Sequence, residues 1–350
     1  MLSLLFFYPK EALLNRNQLV NRVGALSIAL AILLRFVSTV TWGSDIPIFA
    51  QPELHAFLLR SQTGRNPTIV PTALTTLPST ATVPASTVPP PTSTTPIVTK
   101  PAFTTADVKL VKMTYSCSYR PNLTALLTQK LSWDLTKKEP TVLILHTHGT
   151  ESYTKTAQTQ YQNYGGNYRT DDDRYNLISI GDALAALLEQ AGIGVIHDRT
   201  PHDKDDYLDA YDNARKATQQ YLKQYPSIKL VLDLHRDAAE HADGTQWATA
   251  ATVGGQQSAQ LMFVVGTDAG GLSHPNWKEN LACAEKLHVL MEKTAPGITR
   301  PIDLRSQRFN HDLTAAAMIV EVGSAGNTHP EAMTAIPVLA QAIIALCRGT

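Results

Sequence analysis

The stretch VLILHTHGTESY (residues 142–153) carries an apolar run straight into His146, His148 and Glu151. Two imidazoles and a carboxylate this close can hold a divalent ion. A catalytic zinc takes three protein ligands, commonly two His and one carboxylate, and keeps a position open for water. Two further groups of the same kind close apolar runs later in the chain: His235 in KLVLDLH (229–235) and Glu321 in AAMIVEVG (316–323). The pattern predicts His148 and Glu151, at H-x-x-E spacing, as paired ligands of Zn2+, with His235 as the third. Glu321 then serves as the general base that takes a proton from water and returns it to a leaving amine. A carboxylate in so apolar a strand is costly to bury without such a role. His146 stands two residues before His148, on the same face of an extended strand, and is either a satisfied core histidine or the alternate ligand to His148. Asp171, Asp172 and Asp173 are alternative carboxylates to Glu151, or else favour the N-terminus of the helix they precede. Arg236, Arg305 and Arg308 are available to a substrate carboxylate or to Glu321. His197, His202, His241, His274 and His329 lie in polar surroundings and read as surface residues.

These groups need strands to carry them. TVLILH (141–146), KLVLDLH (229–235), LMFVVG (261–266) and AAMIVEVG read as buried strands, and GVIHD (194–198) as a shorter one. Between them, NLISIGDALAALLEQAG puts Leu177, Ile180, Leu184, Leu187, Leu188 and Ala191 on one helical face, with Gly192 to close it. Further helices are predicted at 207–225 and 276–293, the latter with Asn276 as cap. A last one follows NTHPEA, where Thr328 and Glu331 have capping-box spacing. Strands alternating with helices imply an α/β fold, a mixed and mostly parallel sheet with helices on both faces, whose ligand sites sit beyond the carboxyl ends of strands.

The chain has 350 residues, and its 30 basic and 30 acidic side chains cancel. That balance gives no electrostatic case for nucleic acid as a partner. Cys117, Cys283 and Cys347 are too scattered for a thiolate metal site or a disulfide scaffold. At the N-terminus, Lys10, Arg16 and Arg22 precede the apolar run VGALSIALAILLRFVSTVTW (23–42), long enough to span a bilayer or to act as an export signal. Residues 1–42 are therefore expected to be a cytoplasmic tail and an uncleaved anchor. Residues 43–106, rich in Pro, Thr, Ser and Ala from 66 onward, are expected to be a flexible linker. Residues 107–350 would be the catalytic domain, held outside the cell membrane by a single-pass anchor.

HTHGTESY, DLHRD and FNHDLTAAAMIVEVGSAGNT together resemble the signatures of the stage II sporulation protein P family. YNLISIGDALAALLEQAGIGVIHDRTPHD and YLDAYDNARKAT do so as well, and the match runs in order over most of residues 140–340. The family is similar to zinc-dependent N-acetylmuramoyl-L-alanine amidases, and the H-x-x-E spacing to that of zinc carboxypeptidases. The resemblance implies a peptidoglycan hydrolase acting in engulfment during sporulation. It would cut the muramoyl–L-alanine amide and also peptide cross-links, beside a glycan-cleaving wall enzyme and membrane engulfment proteins. His148, Glu151, His235 and Glu321 match the motif positions. In the broader amidase group the glutamate ligand lies further from the first histidine, which keeps Asp172 and Asp173 open as substitutes for Glu151. His311 stands where an amide side chain is expected, in a loop taken to face substrate. Two other readings stay open: an inactive wall-binding or scaffolding module, and a zinc carboxypeptidase or endopeptidase acting on stem peptides. The aromatic residues of QTQYQNYGGNY (158–168) are available to stack on sugar or peptide.

Overall fold

The computed structural model describes residues 102–132, 139–241 and 243–349. The anchor and most of the linker expected at the N-terminus lie outside the described residues.

Seven strands form one sheet. In chain order they are β1 (Met113–Ser116), β2 (Pro140–Leu145), β3 (Gly194–His197), β4 (Leu230–Asp237), β7 (Leu261–Gly266), β8 (Ile302–Arg305) and β9 (Ala316–Ser324). Across the sheet they lie in the order β1-β8-β7-β9-β4-β2-β3. β5 (Ala251–Val253) and β6 (Gln256–Ser258) form a separate antiparallel hairpin. Neighbours within β9-β4-β2-β3 are parallel, as are those within β1-β8-β7, and the two blocks meet at an antiparallel β7–β9 seam. The sheet is thus mixed and mostly parallel. Strands covered on both faces read as unbroken apolar runs, and β2, β4, β7 and β9 do.

The helices are α1 (Leu123–Thr128), α2 (Leu177–Gln190), α3 (Ala210–Gln224), α4 (Trp277–Thr294) and α5 (His329–Gly349). The larger core joins Val142, Ile144, Leu232, Leu234, Phe263 and Val320 of the sheet to α2, α4 and α5. On the other face, α3 packs against Leu143, Leu145, Val231 and Ala317. Met262, Val264 and Ile319 form a second small apolar cluster on that face, and the site lies there too.

Local chemistry sets the helix ends. Gly192 follows α2 at φ +83°, a left-handed conformation cheap only for glycine. The capping box opens α5: Thr328 N–H donates to Glu331 Oε2 (2.9 Å), and Glu331 N–H to Thr328 Oγ1 (3.4 Å). Asn276 precedes α4, but its side chain donates to the Asp312 carbonyl instead of capping (3.4 Å). Among the described residues α5 is long and apolar enough to cross a membrane, yet it packs as a core helix, with Leu339, Ile343 and Leu346 buried.

Gly181 tests how closely α2 sits on the sheet. A Cβ there would come within 2.6 Å of His146 Nε2 and closer still to His197 Nε2. Gly181→Ala is therefore expected to lower stability by about 1–3 kcal/mol in urea denaturation, against its higher helix propensity. An unchanged midpoint would mean that the helix moves freely over the histidine pair.

Candidate active site

Residues two apart on a strand share a face. In β4 this puts Asp233 and His235 on the α3 side, and in β9 it puts Ile319 and Glu321 there, while Leu232 and Leu234 point into the larger core. His235 and Glu321 are register partners across the β4–β9 pair. β4 runs on to Asp237 and β9 to Ser324, so the two groups stand on the open face of the sheet and not, as expected, beyond the strand ends.

The chain then brings His148 and Glu151 over that face. β2 ends at Leu145, and a turn follows in which Glu151 N–H donates to the His148 carbonyl (3.0 Å). Asp233 ties the turn down by accepting from Thr147 N–H (2.8 Å) and Thr147 Oγ1 (2.6 Å). Asp203 does the same for Thr150 and bonds Arg169 at 2.5 Å. Glu151 Oε2 lies 3.7 Å from His235 Nδ1 and accepts from Arg236 N–H (3.2 Å), and its Oε1 is 3.5 Å from the Arg236 guanidinium. The His148 and His235 rings meet edge to face, centroids 5.3 Å apart. Tyr207 stacks on His148 at 4.3 Å, and Tyr211 closes the α3 side beside both rings.

His146 goes elsewhere. Because the strand has ended, the period-of-two argument no longer holds past Leu145. The ring lies 2.8 Å from His197 Nε2, fully buried beneath α2, with His197 bound in turn to Asp182 (3.1 Å). Burial, and then the neighbouring His197, push its pKa down to about 3. Asp172 pairs with Arg174, Asp173 with Arg199, and Asp171 with Lys204, none of them with His148 or His235. Asn176 caps α2 by accepting from Ile178 N–H.

The surface reading of other histidines also needs correction. His202 and His274 are buried and His197 and His329 half-buried, all with polar partners; His241 alone of the five is exposed. His311 is buried too, its Nδ1 accepting from Gly266 N–H (3.1 Å), so it does not hang in a substrate-facing loop. Arg305 bonds Asp303 and Arg308 lies against Asp312.

The field at the site favours positive charge. Burial opposes a charged His235, but Asp233, Glu151 and Glu321 outweigh it and raise its pKa well above the usual range. Burial likewise opposes ionisation of Asp233, and His235 and Thr147 overcome this to hold it well below the carboxylate range. Burial lowers His148 strongly, helped by His235 and Arg169. Glu321 is pushed up to about 8, by burial first and then by Asp237 and Glu151, against His235 and Arg305. Among the buried side-chain atoms without a hydrogen bond are His148 Nδ1, His235 Nε2 and Glu321 Oε2. The second of these is 3.1 Å from Asp233 Oδ1, near enough for charge attraction but poorly aligned for a bond.

Two imidazoles and a carboxylate with unsatisfied ring nitrogens suit a zinc ion by donor chemistry. The side chains approach one another in pairs, however, and among the described residues no group of three or more His, Cys, Asp or Glu surrounds a common centre. Asp233 was missing from the sequence-based set. Its signal was the D-x-H spacing inside VLDLH, which puts it on the same face as His235.

Residues 93–344 match the family model described as Stage II sporulation protein P. The chain belongs to the stage II sporulation protein P family. Its similarity to the Stage II sporulation protein P of Bacillus subtilis (strain 168) is 28% identity over 235 residues, covering 60% of this chain and 54% of the relative. The chain thus spans about half the length of that curated family member. Solved structures similar to this family member include the catalytic domain of CwlV, an N-acetylmuramoyl-L-alanine amidase from Bacillus (Paenibacillus) polymyxa. That likeness has 12% identity, covers 60% of this chain and 99% of the other, and has a TM-score of 0.37. Another is the CwlD amidase of Clostridioides difficile in complex with the GerS lipoprotein, at 13% identity, 58% and 96% coverage and a TM-score of 0.35.

Proposed function

We propose that this protein is a peptidoglycan hydrolase of sporulation that cleaves the N-acetylmuramoyl–L-alanine amide with the help of a zinc ion. One observation carries the reading: His235 and Glu321 are register partners on the open sheet face, with His148 and Glu151 folded over them. Family membership supports the setting. His148, Glu151 and His235 would hold the ion, which when bound supplies Lewis acidity, making water more acidic and polarising the amide carbonyl.

The remaining steps belong to the chain itself. Glu321 takes the proton from the attacking water as general base and then delivers it to the leaving amine nitrogen as general acid. Asp233 holds His235 and the 146–151 turn in one orientation through its three contacts. Tyr207 and Tyr211 pack around the two imidazoles and keep bulk water from them. Arg236 fixes the Glu151 carboxylate. In this reading the segment read as an anchor, residues 1–42, holds the domain outside the membrane, facing the wall.

Digestion of purified peptidoglycan by the full chain, with mass spectrometry of the new ends, tests the proposal. The expected product has a free amino group on L-alanine and an intact muramic acid. New ends within cross-links would replace the amidase reading with an endopeptidase. Wall binding without any new ends would favour an inactive module.

A further inference from the structure

The segment between Thr154 and Tyr168 forms an open cleft of about 350 Å³ beside the site. Thr154, Lys155, Tyr161, Asn163, Asn167 and Tyr168 line it, and its walls are fixed on both sides. Thr154 N–H donates to the Asn327 carbonyl (2.8 Å), and its hydroxyl to the Ala325 carbonyl (2.9 Å), in the turn that follows β9. On the other wall, Tyr168 is held at φ +56°, an uncommon conformation for a bulky residue. Its carbonyl there accepts from Ser152 N–H (2.8 Å) and from the Arg236 guanidinium (3.2 Å). Arg236 also contacts Glu151, so one guanidinium joins the pocket wall to the site.

The lining has a definite chemistry. The exposed Lys155 ammonium rests 4.6 Å from the centre of the Tyr161 ring, and among the described residues it has no carboxylate partner. Asn163 and Asn167 bond each other (3.2 Å) and keep donors and acceptors to spare. A cation beside amides and aromatic faces suits a peptide with a free carboxylate. A neutral sugar could accept hydrogen bonds from the ammonium but would leave its charge unpaired. The volume falls within the range of small-molecule sites.

We propose that this pocket is the subsite for the peptide stem, with Lys155 holding a free stem carboxylate and Asn163 and Asn167 meeting the peptide backbone. The inference rests on the peptidoglycan reading for its ligand. A stem seated there would lie against the Tyr168 wall, whose carbonyl the Arg236 guanidinium ties to the Glu151 side of the site.

The test is calorimetric binding of a synthetic stem tripeptide with free carboxylates, beside its fully amidated form, to the full chain and to Lys155→Gln. Wild type should bind the acid about tenfold tighter than the amide, as expected for one charge-assisted contact. Lys155→Gln should bind both forms equally weakly, and Lys155→Arg should restore most of the preference. Lys155 is exposed, so these variants should melt like the wild type. Equal binding of acid and amide by the wild type, or an undiminished preference in Lys155→Gln, overturns the subsite, as does absence of peptide binding. Wall digestion is scored separately. Digestion without a Lys155-dependent preference removes the subsite alone, whereas the preference without digestion removes the hydrolase reading and leaves the pocket a peptide-binding site.

Discussion

Glu321→Gln is expected to slow wall digestion by roughly 10²–10⁴-fold, the usual share of a positioned acid–base group, with zinc content unchanged. The amide keeps the shape of the carboxyl but can neither accept the proton from water nor pass it to the amine. A second readout separates this from general damage. In the metal-free protein the Glu321 proton is held to about pH 8, against an ordinary value of 4.5. A carboxyl raised in this way favours the folded state while protonated, and that contribution is lost as pH climbs through the window between the two values. The substituted amide does not titrate and carries no such dependence. The variant should therefore gain stability relative to the wild type between pH 4 and pH 9, measured by thermal melting. Digestion within a few-fold of wild type would move the proton carrier to another residue.

His235→Ala should act through the ion. Zinc, expected at about one per chain for a three-ligand site, should fall to background by elemental analysis, and digestion with it. The substitution also removes the positive partner shared by Asp233, Glu151 and Glu321. Buried carboxylates stripped of such a partner destabilise a fold by about 3–5 kcal/mol, so the melting temperature should drop unless the carboxyls take up protons at low pH. Stoichiometric zinc in His235→Ala would rule out the ligand set, whatever the activity. The contrast between the two variants, one keeping metal and the other losing it, separates ligand from base.

The parts of the fold legible in the sequence are those where burial leaves a periodic trace. β2, β4, β7 and β9 are apolar runs because helices or polar loops cover both faces. α2 carries an apolar stripe and a closing glycine, and α5 a capping box. β1 and β8 left no such trace: they are four-residue strands toward one edge of the sheet, with Met113–Ser116 alternating between half-buried and exposed. His148, Glu151, His235 and Glu321 were picked out as polar groups closing apolar runs, and all four lie around one sheet face. Their placement on that face needed the register between β4 and β9, which no single strand encodes. Of the two readings of His146, core histidine and alternate ligand, its burial against His197 fits the first, because the chain leaves the strand at Leu145. Asp233 escaped notice because one carboxylate inside an apolar strand breaks the run too little to be seen, although its spacing from His235 carried the information. The buried His202, His274 and His311 sit among polar neighbours in sequence, and only tertiary contacts bury them.

β9 occupies the middle of the sheet, yet it is the last strand in the chain. Among the described residues β1 is the first strand and pairs with β8, with Thr114 reaching the Ile302 carbonyl across 188 residues. Neither block of parallel strands can join the other before residues 316–324 are available. The seam between the blocks therefore closes only when nearly all of the chain has been made. Such distant pairings make for slow closure and long exposure of sticky strand edges. Glu321 lies on that same late strand, so the central strand and one wall of the candidate site arrive together.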